Sequence, residues 1–179
     1  MTDKTFEEIA VAAQRYTGNM RKAIDYGLFQ KNLMDRSKEA DDYSPDEWLG
    51  LKDFVTDDFE RIGNFKEVMT IHDMVGFLQS WAPTQHWEGS FKRVSEHGNV
   101  VFLELEERVI HNGEQQAVNS VSVYQFNEAG KIKHLDVYAE PWARRGRAAT
   151  RHGPSDRYDR ASHVFGRRDC EPARHDLEA

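Results

Sequence analysis

Glu107 is the residue whose type and placement best suit chemistry. It falls in the row Val101, Leu103, Leu105, Glu107, Val109. If this segment is a strand, the five share one face, because successive strand side chains alternate sides. Four are apolar and one is a carboxylate. A carboxylate on the inner face of a sheet is costly unless something uses it. A carboxyl group on such a wall can take or give a proton beside an enolisable carbonyl. The alternative is a rim position, where Glu107 is solvated or paired with a basic residue.

Other candidates cluster around that idea. Arg61, on a short predicted strand, either points inward to pair with Glu107 or is an ordinary edge charge. At contact and an effective dielectric of ~20, such a pair attracts by roughly 4 kcal/mol before desolvation. Tyr16 and Tyr124 carry phenols able to donate to a substrate carbonyl, or serve as core-edge packing. Ser120, Ser122, Tyr124 and Phe126 share a face on the following strand, and Leu135 and Val137 share one on the last. With Leu103 and Leu105 they form a mainly apolar wall bearing a few hydroxyls, which suits a greasy ligand with one or two oxygens. His72 opens a predicted helix, where the helix dipole disfavours an added positive charge, so it is a candidate base or a surface residue. His86, His97 and His111 are scattered, and no HxxxH pair or carboxylate cluster has metal-ligand spacing. No metal and no cofactor are therefore expected. Trp81, Trp87 and Trp142 are aromatics for the mouth of a cavity, the core or a subunit interface.

The elements that must position these side chains follow from periodicity. Residues 4–34 read as one long helix, with Phe6, Ile9, Ala13, Tyr16, Met20, Ile24 and Gly27 on a stripe weakened by Gly18 and Gly27. Residues 35–44 read as a loop. Ser44-Pro45-Asp46-Glu47 is a helix start, followed by Trp48, Leu49, Leu51, Phe54 and Val55 on an apolar face. Residues 59–63 suggest a short strand. Thr70–Asp73 resembles a capping box opening a third helix that Pro83 ends. Strands are predicted over 86–96, 99–111, 116–126 and 131–139, joined by turns including Asn112-Gly113 and Asn127–Gly130. Helices first and a meander of strands afterwards predict an α+β fold: a curved antiparallel sheet packed on three N-terminal helices, a cone open at one end.

Composition bounds the partners. The 179 residues suit one globular body, expected over 1–142. From Ala143 onward nine Arg stand against six Asp and Glu, with few large apolar residues, so 143–179 reads as an Arg-rich disordered tail. The net charge of −7 is thus the sum of +3 in the tail and −10 in the body, and an acidic body argues against nucleic-acid binding by the folded part. No apolar run approaches the roughly 20 residues that cross a bilayer. The acidic N-terminal stretch is unlike a secretory signal, and the single Cys170 fits a reducing cytoplasm.

The order of elements and the phrase NEAGKIKHLDVY resemble the nuclear-transport-factor-2-like superfamily, which includes SnoaL-like polyketide cyclases, ketosteroid isomerases, limonene epoxide hydrolases and scytalone dehydratases. The likeness covers roughly 45–142 and is strongest over 98–139. It implies a cystatin-like roll, a cavity for a small hydrophobic molecule and a homodimer formed through the open face of the sheet. The family's functional positions carry over unevenly. The isomerase's proton-shuttling Asp corresponds to Gly63, its oxyanion-hole Asp to Ser122, and its oxyanion-hole Tyr to Tyr16. The acid on the last strand of the cyclases and epoxide hydrolases corresponds to Val137, with Asp136 one place off and on the other face. The expected function is thus cofactor-free acid–base handling of a small hydrophobic molecule, as isomerase, cyclase or dehydratase. Glu107, Tyr124, Tyr16 and Arg61 are its candidate catalytic residues. Ser122, Ser120, Leu103, Leu105, Phe126, Val137 and His72 are candidates for contact with substrate. The alternative is a ligand-binding or dimerisation module without catalysis.

Overall fold

Long alternating runs in the second half of the chain form the widest part of a seven-stranded sheet. The computed structural model describes residues 7–111 and 114–139. Strands β4 (Trp87–His97), β5 (Val100–His111), β6 (Glu114–Phe126) and β7 (Ile132–Ala139) pair antiparallel in sequence order. A short β1 (Glu7–Glu8) adds to the outside of β4. Strand β2 (Val55–Ile62) lies beside β7 and carries β3 (Val68–Thr70) on its far side, giving the order β1-β4-β5-β6-β7-β2-β3. Gly98, between β4 and β5, and Gly130, between β6 and β7, have φ of 61° and 70°, a region that glycine enters without steric cost. The Asn112-Gly113 turn, Trp142 and the Arg-rich tail lie outside the described residues.

Several elements depart from the pattern expected of the sequence. The sheet is mixed, because β2 runs parallel to β7, with Arg61 opposite Leu135. The long N-terminal helix is two helices, α1 (Ile9–Ala13) and α2 (Gly18–Glu39). Thr17 is extended and Gly18 has φ 63°, which redirects the chain between them. Helix α2 continues through 35–39, where a loop was expected. Those residues are polar because they face outward: Lys31 pairs with Asp35, and Arg36 donates to Glu47 at 2.9 Å. The expected second helix is a 3-10 segment, Pro45–Asp53, held by the Ser44–Glu47 capping box. Val55 belongs to β2, which begins earlier than expected, and β3 has no counterpart in the sequence reading. Helix α3 (Ile71–Trp81) opens on the Thr70–Asp73 capping box.

One apolar core joins these layers. Trp48, Tyr26, Phe59, Ile24 and Leu51 are among its fully buried side chains. Trp48 donates Nε1–H to the Tyr43 hydroxyl at 2.9 Å, so its polar atom is satisfied. Truncating a buried ring of that size costs about 3–5 kcal/mol. Helix α2 lies across β4 and β5, and Lys22 ties it to the β6–β7 turn by donating to the Gly130 carbonyl at 2.9 Å. Register shifts between Phe91 and Arg93, and between Val55 and Glu60, bend the sheet around the helices. Space is left between α2, α3 and the concave side of the sheet. No helix among the described residues is long and apolar enough to cross a membrane.

Candidate functional site

The concave face of the sheet supplies one wall of a cavity of about 320 Å³. This lies at the small end of the roughly 300–1,000 Å³ typical of ligand pockets. Leu103, Leu105 and Glu107 of β5 line it, as their shared strand parity requires. Ser122 and Tyr124 of β6, Leu135 and Val137 of β7, Arg61 of β2 and Met69 of β3 continue the wall. Helix α2 presents Tyr26, Gln30 and Met34 at four-residue spacing, with Gly27 and Lys31 beside them. Helix α3 presents Met74, Phe77, Leu78 and Trp81. Phe77 and Trp81 stack with centroids 5.6 Å apart and an interplanar angle of 22°, and Phe77 remains 36% exposed.

Glu107 owes its position to Gly89 and Trp87. Gly89 of β4 pairs directly with Glu107, and the Trp87 indole lies over that glycine. A Cβ at position 89 would come within 2.8 Å of both the Trp87 ring and Ile9 Cδ1. The flat approach lets Trp87 Nε1–H donate to Glu107 Oε2 at 2.7 Å. Glu107 Oε1 has no hydrogen-bond donor among the described residues. One carboxylate oxygen is thus anchored, and the other accepts from no described donor.

The other end of the cavity is built around Tyr124 and Arg61. Tyr124 pairs with Leu135, and Leu135 with Arg61, so the three share a row. Burial drives the Tyr124 phenol well above the ordinary tyrosine pKa, opposed by the nearby Ser122 hydroxyl; the Glu107 charge raises it further and the Arg61 charge lowers it. Tyr124 therefore stays a neutral phenol and a hydrogen-bond donor. Burial also raises Tyr26, whose hydroxyl donates to Met74 Sδ at 3.3 Å.

Of the two readings open for Arg61, the pair with Glu107 does not form. Glu107 lies in the row of Gly89 and Val118, three same-face rows along β6 from Tyr124. Arg61 instead meets Glu67 Oε1 at 3.6 Å. Tyr16 does not line the cavity; it packs on Phe91 with centroids 5.8 Å apart, displaced by the break before α2. His72 is exposed at the start of α3 and points away from the cavity lining. Phe126 is buried in the core, and Ser120 is buried between paired Leu105 and Ala139 without lining the space. The Ser120 hydroxyl has no hydrogen-bond partner among the described residues. At Gly63, the position that the resemblance gives to the isomerase's base, the Glu67 carboxylate lies within 1.6 Å of where a Cβ would stand.

Sequence reasoning missed the helical half of the site. Gly27, Lys31 and Met34 of α2 and Met74 of α3 line the cavity, as does Met69 of β3. The Tyr26-Gln30-Met34 spacing was a visible signal, but it sits beside the core stripe and has the same period. Among the described residues, no three His, Cys, Asp or Glu side chains come together as a metal site.

No family model and no curated protein matches the chain. Solved structures do match its fold. One is an NTF2-like protein of unknown function from Burkholderia pseudomallei K96243, with TM-score 0.52 and 13% identity over 70% of this chain and 92% of that one. An LEH-like epoxide hydrolase from M. tuberculosis gives 0.51 and 13%, over 68% of this chain and 82% of the other. A polyketide-cyclase candidate from Xanthomonas campestris pv. campestris gives 0.51 and 14%, over 68% and 92%. At these identities the likeness is one of backbone architecture. The chain has the nuclear-transport-factor-2-like α+β fold, a curved, unclosed mixed sheet wrapped against helices.

Proposed function

We propose that the protein acts on a small hydrophobic molecule by acid–base chemistry carried by its own side chains, as an isomerase, cyclase or dehydratase. The observation behind this reading is the Glu107 carboxylate on a mainly apolar wall, with Oε2 held by Trp87 and Oε1 without a donor among the described residues. Glu107 takes a proton from carbon next to a carbonyl. Tyr124, a phenol that burial keeps protonated, and Ser122 donate to the oxygen on which charge collects. Epoxide-hydrolase and polyketide-cyclase names among proteins of like fold are consistent with small-molecule chemistry in such a cavity.

The test uses 5-nitrobenzisoxazole, a flat probe that a carboxylate base opens. Base removes the C3 proton, the C–H electrons form the nitrile, and the N–O bond breaks to leave a phenolate. Glu107→Gln should slow this reaction by roughly 10²–10⁴, the usual worth of a positioned base. A wild-type rate equal to that of the variant would sink the catalytic reading. The second reading, a binding module without turnover, is favoured by the Trp87–Glu107 bond, which would then be a purely structural pair.

The outer face of the sheet suggests the assembly. Phe102 is 37% and Tyr138 48% exposed, and the register sets them across from Val123 and Val121. We propose that two copies associate through this patch as a homodimer.

A further inference from the structure

We propose that the molecule held in the cavity is an apolar acid whose carboxylate pairs with Arg61. The inference rests on the cavity being the functional site and adds the class and orientation of what it holds.

Arg61 comes off β2 into the wall, and its side chain is 21% exposed. Its one anionic neighbour among the described residues is Glu67, at 3.6 Å, beyond hydrogen-bond reach. Glu67 is itself committed to the turn that follows β2, where its Oε2 accepts from Phe65 N at 3.0 Å. A guanidinium carries five donors in a planar fork, and none of those on Arg61 has a hydrogen-bond acceptor among the described residues. Such a group set beside Leu135, Met69 and Tyr26 is costly while its donors go unmet. A carboxylate matches the fork with two parallel bonds.

The polar groups nearest this end favour the same guest. Tyr124 is a further donor in the same row as Arg61 and Ser122 in the next, whereas Tyr26 spends its proton on Met74 Sδ. The carboxylate lining the cavity, Glu107, stands three rows away beside Trp87. Repulsion from Glu107 and attraction to Arg61 both orient an acid in one direction. Its carboxylate sits against Arg61, and its apolar body runs along Leu103 and Leu105 towards Glu107. The second lining cation, Lys31, is already paired with Asp35.

Calorimetric titration with 2-naphthoate and its neutral isostere 2-acetylnaphthalene tests this. The wild-type protein should bind the acid at least tenfold more tightly than the ketone. Arg61→Gln should weaken the acid at least tenfold and change the ketone by less than twofold, with an unaltered circular dichroism spectrum. Equal or tighter binding of the ketone by the wild type would overturn the proposal, whatever the variant's fold. So would equal loss of both probes in Arg61→Gln. Failure of both probes to bind the wild type would remove this inference together with the cavity's role. An intact acid preference with no benzisoxazole opening would instead remove only the catalytic reading of Glu107.

Discussion

Gly27 offers a test in which stability and binding move in opposite directions. It lies well inside α2, contributes to the cavity wall, and has no atom within 4 Å of where a Cβ would stand. Its backbone is helical, so alanine fits without strain. Removing a mid-helix glycine then gains about 0.5–1 kcal/mol, because the unfolded chain has less freedom to lose. For a domain of this size that is a rise in Tm of about 1–4 °C. Gly27→Leu should keep most of that gain while filling part of a space of only about 320 Å³. Binding of 2-naphthoate should weaken at least tenfold even though the protein melts higher. Scanning calorimetry gives the first quantity and isothermal titration the second. A lower Tm for Gly27→Ala would refute the open environment described for this residue. Unchanged affinity in Gly27→Leu would refute the assignment of α2 as a wall of the binding site.

Trp87→Phe keeps the ring over Gly89 but removes the donor to Glu107, and should cost about 1.5 kcal/mol, the lower end for a bond to a charged group; urea unfolding measures it, and no loss would mean the bond is idle. Phe102→Lys places a charge in the outer patch and should convert a dimer to a monomer by sedimentation velocity; a monomeric wild type would dismiss the dimer outright. The Thr70 hydroxyl and then its backbone N–H hold the Asp73 carboxyl below the usual aspartate range. The stabilisation from this capping box is therefore complete above about pH 4 and disappears as pH falls through the lower folded value. Thr70→Ala should lower Tm at neutral pH by an amount that shrinks in acid, and a pH-independent deficit would contradict the linkage.

What could be read from the sequence was local. Strand parity put Leu103, Leu105 and Glu107 on one side because a period of two leaves no other choice within an unbroken strand. The helix start at Ser44 and the capping box at Thr70 were visible for the same reason, since each needs only four residues. The break before α2 was hidden because Tyr16, Met20 and Ile24 keep a helical spacing across it, and spacing alone does not report the φ of 63° at Gly18. Arg61 was harder. Its distance from Glu107 depends on β2 lying beside β7, a pairing between segments far apart in the chain that no local pattern encodes. The same pairing made the sheet mixed. Tyr16 takes the core-edge alternative, because the helix break at Thr17 and Gly18 sets it against Phe91.

The parallel join of β2 to β7 also fixes when the cavity comes into being. Ile132 N–H donates to the Phe54 carbonyl at 2.9 Å, and Ala139 N–H to Asn64 Oδ1 at 3.1 Å across 75 residues. Hairpins between neighbouring strands can close as the ribosome delivers them, but this seam must wait for 132–139, and such distant closures are slow. Until then two strand borders stand bare and invite association with other nascent chains. A molecule that fits the finished hollow binds only after the seam has zipped, so its presence during synthesis would raise the yield of native protein by mass action.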